Sequence, residues 1–533
     1  MNSTKSILNT LTLEQKAAQM VMVDFSGEEA DAEVAASFKR HCWGGAILFP
    51  KNLKNAAQTA NLLHSLQEIS IAQSSLPLLT AVDQEGGMTA PLFFATALSP
   101  GNMAIAATGN KRYAYEAARL SALELVNIGF NLNFAPVADI NNNSENPVIG
   151  VRSFGDDPAQ VAELTAEAVR GFMDGGIGAC AKHFPGHGDT KMDSHLLLPS
   201  VSHGKERLDA VELLPFRAAI AAGVDSIMTA HILFPALDTE RPATLSPAIL
   251  SDLLRHEMAF DGLIITDSMA MKAIADHYGQ GEAAVQSVMA GADIVLACGP
   301  QDKQVEILEA LIRSIREKKI SPERLDESVS RILRQKTKRP PVAPSQYGSS
   351  LLSEARTLMK TISGESITLV KNNKNILPLK SPGLLGVLAP LHSGGELLPF
   401  FEGLRKRRPG SLILEVDFES DKTLAEINQE RFSECSCLLV LTTSRGIMPA
   451  AQEALIKELA ASGPDVILAA LHNPFHLSLF PEMDTSLATY GYRVSSLEAL
   501  VKVLFGELNP KGRLPISLPG LFTVHGPLSY NVT

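Results

Sequence analysis

The sequence predicts an α/β protein in two parts, a (β/α)8 TIM-like barrel followed by a smaller open α/β sandwich domain. Three observations carry this prediction. Eight short aliphatic runs in residues 1–335 each end near a Gly, Pro or polar group and alternate with helix-length amphipathic stretches. Continuous apolar strands alternating with helices imply a parallel sheet covered on its faces, and eight such units match the closed barrel in number and length. The pattern then breaks at residues 336–350, where Pro340, Pro341, Pro344 and Gly348 read as a linker, and five more buried-strand patterns follow in residues 351–533. A chain of 533 residues exceeds what one hydrophobic core supports.

In chain order, the eight runs fall at 20–23, 46–49, 78–82, 132–137, 179–182, 226–230, 263–266 and 293–297. Between them, 55–71, 112–126, 161–173 and 206–221 place apolar residues three and four apart, the spacing of a helix with one buried face. An open doubly wound sheet is the alternative for this part. In the second part the strands are expected at 366–370, 384–388, 412–416, 438–442 and 466–471, with helices such as 450–461 and 497–505. Its strand ends carry few polar clusters, His472-Asn473 being the main one, so a packing or stabilising module is at least as good a reading as a catalytic one.

In a barrel the chemistry belongs to the C-terminal ends of the strands. Those ends read Asp24, Pro50, Asp83, Asp139, Lys182-His183, His231, Asp267 and Gly299. Ionisable groups are seldom buried without a partner or a task, so this ring points to a site. Other classes are excluded by composition. A net charge of -11, with no basic run longer than Arg405-Lys406-Arg407-Arg408, argues against a nucleic-acid surface. Five cysteines without zinc-like spacing argue against a structural metal. No eighteen apolar residues run together, so no membrane span is expected, and residues 1–13 lack the apolar core of a signal peptide. A cytoplasmic location is expected on that ground, or a secreted or periplasmic one if a leader has been removed. Oligomeric state is not legible.

The densest cluster is Lys182-His183-Phe184-Pro185-Gly186-His187-Gly188-Asp189-Thr190, followed by Asp193-Ser194-His195, directly after the apolar 178–181. Asp193 and His195 are two apart, so in an extended loop both side chains project to one side. A carboxylate beside an imidazole favours imidazolium and suits a general acid. Lys182 and His183 can donate to substrate hydroxyls, and Asp83 can accept a pair from a diol. Asp267, after the strand at 263–266, is either a helix N-cap or a nucleophile facing the barrel mouth. Acid, carboxylate and polar donors together suit glycoside hydrolysis better than acyl or phosphoryl transfer, and neither a Gly-x-Ser-x-Gly elbow nor a Walker loop is present. Metal-dependent hydrolysis competes, with His183, His187, Asp189, Asp193 and His195 as possible ligands. The first strand ends Val23-Asp24-Phe25, without the histidines such barrels carry, so no metal and no cofactor is expected.

These motifs, together with Val82-Asp83-Gln84-Glu85-Gly86-Gly87, Arg152-Ser153-Phe154 and Ile265-Thr266-Asp267-Ser268-Met269, resemble glycoside hydrolase family 3 in the two-domain form of its bacterial β-N-acetylhexosaminidase branch. The likeness extends from Leu11-Thr12-Leu13-Glu14-Gln15-Lys16 to Asn509-Pro510-Lys511-Gly512-Arg513-Leu514-Pro515. It implies a retaining hydrolase that releases non-reducing terminal β-linked N-acetylglucosamine from muropeptides or chitobiose-like substrates. Asp267 would be the nucleophile that forms a glycosyl-enzyme, His195 the acid/base held by Asp193, and Asp83, Arg152, Lys182 and His183 the sugar-binding residues. A phosphorylase of the same fold, a β-glucosidase-like specificity and a non-catalytic sugar-binding protein are the alternatives. The chain departs from the family at Met88 and Pro91, where arginines usually stand. If Lys51 or Arg112 substitutes for the missing cation, sugar affinity should be ordinary; partial compensation is the expectation.

Overall fold

The computed structural model describes residues 2–191, 198–342, 349–380, 382–391, 395–418, 432–462 and 464–521. Eight parallel strands form the first sheet: β1 (Val21–Val23), β2 (Gly45–Ile47), β3 (Leu79–Val82), β4 (Leu132–Asn133), β5 (Gly178–Phe184), β6 (Ser226–Thr229), β7 (Leu263–Ile265) and β8 (Val295–Ala297). Their order is β7-β6-β5-β4-β3-β2-β1-β8. A bridge between Ile265 and Ile294, with the Thr266 amide donating to the Ile294 carbonyl at 2.9 Å, brings β7 round to the approach of β8 and makes the sheet a nearly closed barrel. Every strand residue is buried, as a sheet lined by side chains inside and covered by helices outside requires.

The covering helices start and stop where their ends are satisfied. The Asn55 side chain caps Ala56–Ser74 by accepting from the Gln58 amide, and Pro158 occupies the first turn of Pro158–Asp174, where its missing N–H costs nothing. The helix expected across 206–221 is two, Lys205–Ala210 and Leu214–Ala221. Pro215 cannot continue a helix begun upstream but suits the start of the next one, and Glu212 is buried at the break.

The second sheet runs β11-β10-β12-β13-β14-β9, from β9 (Thr368–Asn372), β10 (Leu384–Pro390), β11 (Leu412–Val416), β12 (Cys435–Thr442), β13 (Asp465–Ala470) and β14 (Thr485–Ala488). Only the β14–β9 pair is antiparallel. β14 was not expected from the sequence, because four residues with Thr and Ser carry little hydrophobic signal. Successive strand residues face opposite sides. Val387, Leu439 and Ile467 pack on Phe400, Leu404, Leu497 and Leu500, while Leu388, Val440 and Leu468 pack on Leu455, Ile456 and Leu459.

The two sheets do not stand apart. Met103, Ala104 and Ala107 of the helix Asn102–Ala107, from the barrel part, belong to the same apolar cluster as β10, β12 and β13. Arg493 Nε donates to the Gly87 carbonyl at 2.7 Å, and the Arg513 amide to the Ala107 carbonyl at 2.8 Å. The last helix of the barrel part runs on into the stretch expected as linker. The helix Pro322–Lys338 carries its buried face through Gln335 and Lys336, where Lys336 Nζ donates to Gln19 Oε1 at 2.5 Å, and Pro340-Pro341 follow its end. The next helix is Ser349–Ser366.

Candidate active site

The C-terminal ends of β3, β5 and β7 open into one cavity of about 760 Å³, lined among others by Asp83, Glu85, Arg152, Lys182, His183 and Asp267. Five candidates from different parts of the chain thus meet: Asp83, Arg152, Lys182, His183 and Asp267. Asp193 and His195 lie outside the described residues.

Lys182 ends the apolar part of β5 and is almost fully buried, with its ammonium 2.6 Å from Asp83 Oδ1 and 2.7 Å from Glu85 Oε1. Arg152 donates to both oxygens of Glu85, Nε to Oε2 and Nη2 to Oε1, each at 2.8 Å. Burial works to raise the Glu85 carboxyl, but Arg152 and Lys182 overcome it and hold it at about 2. Burial would likewise lower Lys182, yet Asp83 and Glu85 hold it above its ordinary value. Glu85 is a residue whose part the sequence reading missed. Its signal was there in the second carboxylate two residues after Asp83. Gly86 and Gly87, both at positive φ, turn the chain just after it, and Gly87 sits so close to Gly101 that an added Cβ would lie 3.1 Å from its Cα.

His183 is oriented from behind. Its Nδ1 lies 2.7 Å from Asp139 Oδ2, and Asp139 also accepts from the His183 amide at 3.1 Å and the His187 amide at 2.7 Å. This buried carboxylate in the segment after β4 therefore ties down the loop after β5 without lining the cavity itself. Gly188 is needed in that loop because a Cβ there would meet the Ile140 carbonyl oxygen at 1.6 Å. His187 also lines the cavity; burial, then the neighbouring His183, lower its imidazole to about 4 and keep it neutral.

Asp267 follows β7, and its Oδ1 accepts the Ser268 amide at 2.7 Å, which orients the carboxylate. Of the remaining strand-end groups, Asp24 is paired with Lys51 at 2.7 Å, and His231 is held between Thr244 and the Ser268 carbonyl at 2.8 and 3.0 Å. Neither lines the cavity.

The expected substitute cations are corrected by these contacts. Lys51 is engaged with Asp24, Arg112 pairs with Glu116 on the outside of a helix, and neither lines the cavity. Met88 and Pro91 do line it, and Met88 also packs against the apolar cluster of the second sheet. The place of the missing arginine is occupied by a contact between the two units. The second unit in turn reaches the cavity with Arg445, His472 and Tyr490, of which the sequence reading singled out only His472, as a polar strand end without an assigned role.

Among the described residues one group has the spacing of a metal set, Asp189, His203 and Glu212, with ligand atoms within 4.8 Å of one another. It lies outside the cavity lining, and only Asp189 of it belongs to the set considered from the sequence. His183 and His187 turn their Nδ1 atoms to Asp139 and Thr190 instead. No helix among the described residues is long and apolar enough to cross a membrane.

The glycosyl hydrolase family 3 N-terminal domain matches residues 12–335, and the family's C-terminal domain matches residues 419–527. A beta-hexosaminidase A of Pseudoalteromonas piscicida is 32% identical, covering 95% of this chain and 97% of its own. A beta-N-acetylglucosaminidase/beta-glucosidase of Cellulomonas fimi is 31% identical over 89% of this chain and 88% of its own. Among solved structures, a glycoside hydrolase family 3 beta-N-acetylglucosaminidase from Paenibacillus sp. str. FPU-7 superposes with a TM-score of 0.89 at 40% identity, covering 96% of this chain and 99% of its own.

Proposed function

The chain belongs to glycosyl hydrolase family 3, and from that premise we propose that it is a retaining β-N-acetylglucosaminidase whose nucleophile is Asp267. One observation carries the assignment: Asp267 opens into the same cavity as the buried set Asp83, Glu85, Arg152 and Lys182. The set is charge-balanced, positions hydroxyl-binding groups and is tied together by short ion pairs. It suits a neutral sugar held against the Asp267 carboxylate.

In the proposed reaction an Asp267 oxygen attacks the anomeric carbon as the bond to the leaving-group oxygen breaks, and that oxygen takes a proton from His195. Asp193 supports the imidazolium. Water then gives a proton to His195 and attacks the same carbon, which releases Asp267 and restores the original configuration. A histidine thus stands where the usual scheme has a second carboxylate. Asp83, with its second oxygen free of Lys182, accepts sugar hydroxyls, Arg152 donates to others, and His183, its Nδ1 held by Asp139, presents Nε2 to them. The leaving group is a further sugar, of muropeptide or chitobiose-like type.

The test is release of nitrophenol from the aryl N-acetylglucosaminide, combined with mass-spectrometric trapping by a 5-fluoro glycoside. Turnover with labelling at Asp267, abolished in Asp267→Ala while the circular dichroism spectrum is retained, is the expected result. Labelling at any other residue overturns the assignment.

A further inference from the structure

The second unit contributes Arg445 and His472 to the cavity, and the proposed chemistry uses neither. His472 follows β13 and is buried, yet its Nδ1 has no hydrogen-bond partner among the described residues. An unpaired buried polar atom is destabilising, and a bound group that pairs with it removes that cost. Burial, and then the charge of Arg445, lower the imidazole to about 3, so the ring is neutral and offers one N–H and one lone pair.

Arg445 stands on the turn after β12, exposed, without a hydrogen bond or ion pair to any described residue. The turn itself is anchored. Asn473 Nδ2 and His476 Nε2 both reach the Gly446 carbonyl, at 3.1 and 2.9 Å, so the segment that carries His472 also holds the backbone next to Arg445. Gly446 in turn packs on Pro147 at the cavity rim.

The charge arithmetic separates this wall from the rest of the site. Arg152 and Lys182 are neutralised by Glu85 and Asp83. A neutral sugar needs no further cation. A guanidinium carried on an anchored turn, beside an unsatisfied imidazole, matches a carboxylate, which can accept from both. The cavity, at about 760 Å³, has room for more than one sugar ring.

Resting on the hydrolase reading above, we propose that Arg445 and His472 are specificity-determining residues for the leaving group: they select N-acetylglucosaminides whose leaving group carries a carboxylate. The second unit thereby adds a cation to the site from outside the barrel, at a place separate from the sugar-binding set.

Equilibrium binding to the full-length protein tests this without requiring turnover. The probes are the 3- and 4-carboxyphenyl 1-thio-N-acetylglucosaminides, each measured by calorimetry against its carboxamide. The wild type should prefer at least one acid over its amide by roughly 10- to 100-fold, the worth of one or two charge-assisted hydrogen bonds. Arg445→Ala should bring that ratio close to one, and Arg445→Lys and His472→Gln should each reduce it in part. Lys303→Ala, on the barrel exterior, should leave the ratio as it is. Equal binding of acid and amide by the wild type, an unchanged ratio in Arg445→Ala, or collapse of the ratio instead in Lys272→Ala, which removes the exposed barrel lysine that also lines the cavity, overturns the proposal. A protein that shows the ratio but releases no nitrophenol contradicts the hydrolase reading and leaves this one standing.

Discussion

Glu85→Gln removes one negative charge from a buried set that also holds Arg152 and Lys182, while leaving the shape of the side chain almost unchanged. The Glu85 carboxyl, ordinarily at 4.5, is held at about 2 because the two cations outweigh the penalty of burial. That difference is worth about 3 kcal/mol of folding stability at neutral pH, in line with the ~3–5 kcal/mol expected when one partner of a buried ion pair is lost. The folded carboxyl is depressed, so its contribution is present above the unfolded value of 4.5 and is lost as the pH falls through 2. The variant should therefore be less stable than the wild type by about 3 kcal/mol at pH 7 and by about 2 kcal/mol at pH 3.5. Trp43, the single tryptophan, is buried in the barrel core and reports its unfolding in urea by fluorescence. A loss below about 1 kcal/mol at pH 7, or the same loss at both pH values, would refute the claim that Glu85 is the buried counter-ion of both cations. Activity gives a second readout. With Glu85 neutral, Lys182 leans on Asp83 alone and competes with the sugar for it, so KM should rise.

Loss of His195 should slow the release of poor leaving groups by roughly 10²- to 10⁴-fold and activated aryl leaving groups much less, with Asp193→Ala similar; equal slowing of glycosylation for both kinds would contradict a proton donor. With an arginine missing at Met88 and Pro91, KM for aryl N-acetylglucosaminides should be high while kcat is ordinary, because uniform binding is what such a contact supplies. The same comparison on the aryl glucoside checks the sugar itself, and a kcat/KM ratio of N-acetylglucosaminide to glucoside near or below one would remove the N-acetyl preference. Burial holds the Lys336 ammonium at about 7 against an ordinary 10.5. The unfolded chain then binds more protons between those values, so stability should climb from pH 7 toward pH 10. Lys336→Met should flatten that climb and raise stability at pH 7; a wild-type curve already flat over this range would show the lysine is not confined as placed.

Strand periodicity and turn chemistry were enough to read the barrel and the second sheet, because buried parallel strands are continuous apolar runs that need no knowledge of their neighbours. The same logic located the candidate residues. Asp83, Lys182-His183 and Asp267 each sit where an apolar run stops, and a polar group at such a stop is visible in one dimension. Element ends were less legible. Lys336 reads as linker because Pro340, Pro341 and Pro344 follow it so closely, and only the packing of its helix on Gln19 makes it interior. β14 escaped notice because Thr485 and Ser486 become buried through neighbours far away in the chain.

What the tertiary structure decided is who partners whom. Nothing in the spacing of residues 83, 85, 152 and 182 says that one carboxylate neutralises two cations, since that depends on three strand ends converging on one point. Asp139 looked like one more member of the catalytic ring, and its contacts make it the support of His183. The exchange at the domain boundary was the least legible of all. Met88 lines the cavity and packs on the second sheet, while Arg445 and His472, more than 350 residues later, face the same space. A sequence records which side chains are available to a site. Distance, burial and shared counter-charge arise only when the chain closes on itself, and here those three quantities assign the work.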